Sequence, residues 1–128
     1  MNNLTKYDDF LVDIINSLES LTKKALNKNL NKDKIIWDPG LGFSKDTKQN
    51  IEILRNVSLL KNFEFPLLIG ASRKRFIGEI LNEPSPKERD IGTLAISCLC
   101  SQQKIHLVRV HNVKINHQVL KVADHIFR

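Results

Sequence analysis

The chain has 128 residues, a formal net charge of +6, 41% hydrophobic and 27% charged residues, which is one globular domain's worth. No apolar run nears the roughly 20 residues of a membrane helix, and Cys98 and Cys100, two apart on a helix, point about 200° from each other and form no disulfide framework. The 20 Lys and Arg are spread along the chain among only 6% aromatic residues, so nucleic acid is not the expected partner, and the densest basic cluster, Arg73-Lys74-Arg75, suits a small anion.

The first element read from periodicity is a helix over about Thr5–Leu26. Tyr7, Leu11, Ile14, Ile15, Leu18, Leu21 and Ala25 form its apolar stripe, and Thr5 and Asp8 its capping box. A polar loop leads to a first strand, Ile35-Ile36-Trp37, which stops at Asp38-Pro39. A second helix starts near Asp46 or Thr47 and runs to about Lys61, with Ile51, Leu54 and Val57 inward. The second strand covers about Pro66–Gly70 and is followed at once by a short helix over Arg73–Leu81. Ser85 and Glu88 read as another capping box with Pro86 at the first helical position. That helix runs to about Gln102 and buries Ile91, Leu94, Ala95, Cys98 and Leu99. A third strand over Ile105–Val110 and a last helix over Asn116–Phe127, with Val119, Leu120, Ala123 and Ile126 inward, complete the order.

Strands this apolar are covered on both faces, as in parallel sheets. The α-β-α-β-αα-β-α order therefore predicts an α/β fold. Three parallel strands are few for a free-standing sheet, and a parallel barrel needs eight. The chain is expected to be the C-terminal portion of a (β/α)8 barrel, helix 5 through strand 8 and helix 8, incomplete as it stands. Residues 1–128 then form part of one domain.

Polar stretches sit at the C-terminal ends of all three strands, the edge where such folds place their chemistry. Asp38 can accept paired donors from an amidine-like ligand edge, or bond its own backbone in an Asp-Pro-Gly turn. Phe43 follows two glycines and either walls a pocket or packs in the core. Gly70 lets a flat ligand lie against the backbone, and Ser72 is placed to cap the next helix. Lys74 in the first helical turn opposes the helix dipole unless something compensates it. Otherwise Arg73, Lys74 and Arg75 are a solvated face. Arg109 and His111 share one side of the third strand, where the guanidinium fork suits phosphate or carboxylate, or pairs internally with Asp38. His106, His117 and His125 lack such company, and no spacing suggests a zinc site.

Taken together, Asp38-Pro39-Gly40-Leu41-Gly42-Phe43-Ser44-Lys45, Gly70-Ala71-Ser72-Arg73-Lys74-Arg75-Phe76 and Arg109-Val110-His111-Asn112 resemble the motifs after strands six, seven and eight of dihydropteroate synthases. Asn112 stands where many members carry Asp. The resemblance implies condensation of 4-aminobenzoate with 6-hydroxymethyl-7,8-dihydropterin pyrophosphate in folate biosynthesis. It implies that Asp38 and Lys74 bind the pterin, with Gly70 against the ring. Phe43 and Ser72 hold 4-aminobenzoate, and Arg109 and His111 take the pyrophosphate. Lys74, Arg109 and His111 are the catalytic candidates. It also implies magnesium, held through the pyrophosphate and through residues this chain does not contain, and a homodimer for the full-length family. No nucleic-acid or membrane partner is expected. The family's strand-one Asn and closing loop have no counterpart, so the 128 residues alone are not expected to be a competent synthase. An inactive half-barrel, an interaction module and a pterin-binding methyltransferase relative stand as alternatives. With no signal or transit character in Met1–Lys6, the expected compartment is the cytoplasm, or an organellar matrix if residues precede Met1.

Overall fold

The computed structural model describes residues 5–61 and 64–128, with the side chains of the first helix from Asp9 onward. The expected packing of Tyr7 and the Thr5/Asp8 capping box concern side chains outside the described residues. The elements are α1 (Thr5–Asn27), α2 (Thr47–Arg55), α3 (Val57–Leu60), β1 (Leu68–Ile69), α4 (Arg75–Leu81), α5 (Asp90–Gln102), β2 (Leu107–Val108) and α6 (Val113–Phe127).

The sheet is parallel, and its neighbours follow chain order. Trp37 bridges Leu67, donating to Pro66 O at 2.8 Å while its own carbonyl accepts from Leu68 N–H at 2.8 Å. Leu68 pairs with Leu107 and Ile69 with Val108. The strands are shorter than the apolar runs suggest. Among the described residues Ile35–Trp37 forms a single bridge, Trp37 to Leu67, because a ladder extends only where a neighbour offers both groups.

Alternation divides the sheet into two faces. Trp37, Leu67 and Ile69 point toward the helices and are buried with Ile53, Leu60 and Phe76 in the core. Ile36, Asp38, Leu68, Gly70, Leu107 and Arg109 lie on the opposite face. There Ile36 is 52% and Leu107 39% exposed. This arrangement matches three adjacent strands of a barrel, seen from the uncovered interior.

Helix boundaries differ from the expectations at specific residues. The helix after the first strand breaks at Asn56, and Asp46 caps it with Gln49 in a reciprocal capping box. Ser85 makes no side-chain cap, so the Ser85/Glu88 box does not form. Glu83 instead accepts from Ser85 N–H at 3.0 Å, and Pro86–Arg89 wind as a 3-10 turn before α5. α6 starts at Val113 rather than Asn116, because the Asn112 side chain accepts from Ile115 N–H at 3.2 Å.

The inward faces differ as well. In α5, Ile91 is 70% exposed and Ala95 is exposed, while Thr93, Ser97, Cys100 and Ser101 are buried. The hydroxyls have partners that make burial affordable: Ser97 donates to Asn116 at 2.7 Å and Ser101 to Asp124 at 2.5 Å. Leu21 of α1 and Ile126 of α6 are likewise exposed. Cys98 and Cys100 are free thiols, and burial pushes the Cys100 thiol up to about 12. Among the described residues no helix is long and apolar enough to cross a membrane.

Candidate pterin and phosphate site

The turn after the first strand is built by its own polar groups. The Asp38 Oδ1 atom accepts from Gly40 N–H at 2.9 Å, the local Asx turn expected of Asp-Pro-Gly. Its other oxygen faces Arg109 Nη1 at 3.4 Å. Gly40 and Gly42 adopt φ of +72° and +88°, which glycine tolerates without strain. Lys45 folds back to donate to Gly40 O at 2.8 Å and Phe43 O at 3.1 Å.

Asn50 holds this turn from beneath. Its side chain, buried in α2, accepts from Gly42 N–H at 2.8 Å and donates to Asp46 O at 2.9 Å. The sequence reading missed it. The available signal was a lone amide on the stripe Asn50, Ile53, Leu54, Val57, at the spacing of a buried face. Asn50→Leu leaves the Gly42 N–H without its partner and is expected to destabilise the fold by about 1–3 kcal/mol. Urea unfolding measures it, and an unchanged midpoint would show that the turn does not depend on Asn50.

The Arg73-Lys74-Arg75 cluster separates into three different roles. Arg75 is exposed and pairs with Glu79 at 3.3 Å. Arg73 turns away to α5 and forks onto Asp90 at 2.8 and 3.1 Å. Lys74 alone turns toward the strand ends. It precedes α4 as its cap residue rather than sitting in the first turn. Its ammonium donates to Leu41 O at 2.5 Å and lies 5.2 Å from the centre of the Phe43 ring. Burial lowers the Lys74 pKa from its ordinary value, Arg109 lowers it further, and Asp38 opposes the shift. Phe43 itself is 68% exposed, so it is not a core residue of the described chain.

Ser72 does not cap α4. It is buried, and its Oγ lies 2.8 Å from His111 Nδ1 while accepting from His111 N–H at 3.0 Å. The Ser72 hydroxyl thus bonds both the backbone and the ring of His111. Gly70 leaves room for the Arg109 guanidinium, which would have to shift to admit a side chain. A Cβ there would lie 2.6 Å from Arg109 Nη2.

Gly70, Ser72, Lys74, Arg109, Val110 and His111 line one open cavity of about 300 Å³. Five of the seven candidate residues therefore share it. Asp38 joins through Arg109, and Phe43 through Lys74. The arrangement offers two cations and an imidazole, with a carboxylate oxygen and a side-chain-free backbone beside them. A polyanion and a flat donor-rich ring suit those groups. Among the described residues no group of three or more His, Cys, Asp or Glu could hold a metal ion.

A family model described as pterin binding enzyme matches residues 1–111. The dihydropteroate synthase of Synechocystis is 43% identical over the whole chain, which covers 44% of that relative. The Bacillus subtilis dihydropteroate synthase is 37% identical over 92% of the chain and 41% of its own length. Among solved structures, the Xanthomonas albilineans dihydropteroate synthase with 4-aminobenzoic acid superimposes with a TM-score of 0.88 at 32% identity, over 93% of this chain and 44% of that one. The Yersinia pestis protein with a pterine–sulfa conjugate gives 0.87 at 34% identity, over 93% and 46%. The chain thus spans less than half the length of these relatives, and its fold corresponds to part of their barrel. By motif, fold and family match, the chain belongs to the pterin binding enzyme family.

Proposed function

We propose that this chain supplies the strand six, seven and eight side of a dihydropteroate synthase site. The reaction joins 4-aminobenzoate to 6-hydroxymethyl-7,8-dihydropterin pyrophosphate. The arylamine lone pair forms the new C–N bond at the pterin methylene. The C–O bond breaks, pyrophosphate leaves with the electron pair, and the amine nitrogen loses a proton. The observation that carries this reading is the shared cavity of Gly70, Ser72, Lys74, Arg109 and His111.

Arg109 and the His111 imidazole stabilise the charge that grows on the leaving pyrophosphate. Lys74 adds a partly desolvated cation and donates to the pterin. Asp38 accepts from the pterin's amino edge through the oxygen that Arg109 releases as it turns to phosphate. Gly70 lets the ring lie flat. Phe43, standing over the Lys74 ammonium, walls the arylamine side. Ser72 is assigned to the arylamine by family likeness, and its bond to His111 also fixes the imidazole. Magnesium is proposed to enter with the pyrophosphate. The described residues do not form a cage for it, since no group of three or more His, Cys, Asp or Glu among them could hold a metal ion, and no step above runs through the ion.

The same family likeness supports a homodimer for the whole protein, and the exposed Val113, Val122 and Ile126 of α6 are compatible with one. It also supports a cytoplasmic or organellar-matrix setting. A pea relative, 38% identical over 96% of this chain, is named mitochondrial.

Titration with a pterin pyrophosphate analogue, followed by pterin fluorescence, tests the function. The expected result is saturable binding that inorganic pyrophosphate competes away. Binding that pyrophosphate leaves untouched would favour a methyltransferase-like pterin site, and no binding would reject a pterin site on this chain.

A further inference from the structure

Arg73 is a non-glycine residue at φ +60°, a conformation that costs roughly 1–3 kcal/mol unless its surroundings enforce it. They do. Its N–H donates to Thr93 Oγ1 at 3.2 Å, its carbonyl accepts from Arg89 Nη1 at 3.0 Å, and its guanidinium forks onto Asp90. Each of these holds comes from the start of α5. Gly78 leaves the space that Arg89 occupies, since a Cβ there would lie 2.4 Å from Arg89 Nε. The turn that Arg73 belongs to is tied to the turn after β2 by Ser72, whose Oγ accepts from His111 N–H at 3.0 Å.

We propose that Asp90 is a positioning residue for the phosphate site. Its carboxylate holds Arg73, and so sets the flanking Ser72 and Lys74 against Arg109 and His111. The inference rests on the phosphate reading given above. Asp90 touches no substrate and acts through Arg73. The Arg73 fork holds its carboxyl below the usual range, so it remains a charged acceptor while the site works.

The sign of the expected effect separates positioning from electrostatics. Deleting a carboxylate near an anion site strengthens anion binding by charge alone. Deleting a carboxylate that aligns the cations weakens it. Calorimetric titration of the full chain with inorganic pyrophosphate is expected to show Asp90→Asn about tenfold or more weaker than the unsubstituted chain. Asp124→Asn serves as control. It loosens Ser101 at the far end of α5, and it is expected to lower the thermal midpoint without changing the pyrophosphate Kd. Arg73→Lys keeps the charge but not the fork. It is expected to reproduce the Asp90→Asn loss, and the double variant to bind no worse than the weaker single.

Unchanged or tighter pyrophosphate binding by folded Asp90→Asn overturns the inference. If that variant does not fold, Arg73→Lys decides, and a Kd equal to the unsubstituted chain's overturns it. Failure of the unsubstituted chain to bind pyrophosphate would remove the phosphate site itself, a separate outcome from a site that binds regardless of Asp90.

Discussion

Arg109→Met is expected to weaken pyrophosphate binding by about tenfold to a hundredfold, with almost no loss of stability. A two-bond, charge-assisted contact contributes roughly 1.5–3 kcal/mol, and about 1.4 kcal/mol is a factor of ten. Stability is spared because Arg109 has 58% of its side chain exposed and its ion pair to Asp38 is long at 3.4 Å. Exposed pairs of that kind contribute between nothing and about 1 kcal/mol. Arg109→Lys keeps a charge but loses the fork, and is expected to recover only part of the affinity. Arg75→Met provides the contrast. It removes an equal charge from a side chain that is 88% exposed and paired with Glu79, so its pyrophosphate affinity stays near that of the unsubstituted chain. If both variants lose affinity alike, the effect is net charge, and the cavity is not the site. Titration calorimetry at fixed salt separates the two.

The contrast between Arg75 and Arg109 also shows what is legible in a sequence of this kind. Apolar runs that stop at Asp38, Gly70 and Arg109 locate the strand ends, because alternation and burial act on the residue types themselves. The parallel order follows from the helices between the strands. Partnership between side chains distant in sequence is not legible. Arg73, Lys74 and Arg75 are three cations in a row, and only the fold sends one to Asp90, one to Leu41 O and one to solvent. Ser72 reads as a helix cap because caps are local, yet its bond is to His111, 39 positions away. The buried face of α5 is misread for a related reason. Periodicity weights Ile91 and Ala95, whereas the structure buries Thr93, Ser97 and Ser101, whose partners lie on other elements. Asn50 is the intermediate case: its place on an apolar stripe marks it, but not what it holds.

The 128-residue polypeptide on its own is expected to form no measurable dihydropteroate, and to do so once the inner face of its sheet is covered. Ile36, Leu68 and Leu107 lie on that face, with Ile36 and Leu107 exposed. Leaving a side chain of this size in water forgoes about 1.5–3 kcal/mol of burial. In a closed barrel that interior is filled by side chains from alternate strands. Asp38, Gly70 and Arg109 continue the same face toward the mouth, so a pterin held by them alone would have solvent on its other side. Solvent there weakens each electrostatic contact the site makes, since two charges at 4 Å interact by roughly 1 kcal/mol in water and about four times that near a protein surface. It also leaves the ring free to leave its attack geometry. The test is complementation. The part of the Bacillus subtilis relative that this chain does not cover is expressed separately, mixed with the 128-residue chain, and assayed with both substrates and magnesium. Product from the mixture and from neither part alone is the expected outcome. Turnover by the 128 residues at the rate of the closed barrel would show that one face of the sheet is enough to hold the pterin, and that the exposed Ile36 and Leu107 do not mark a missing wall.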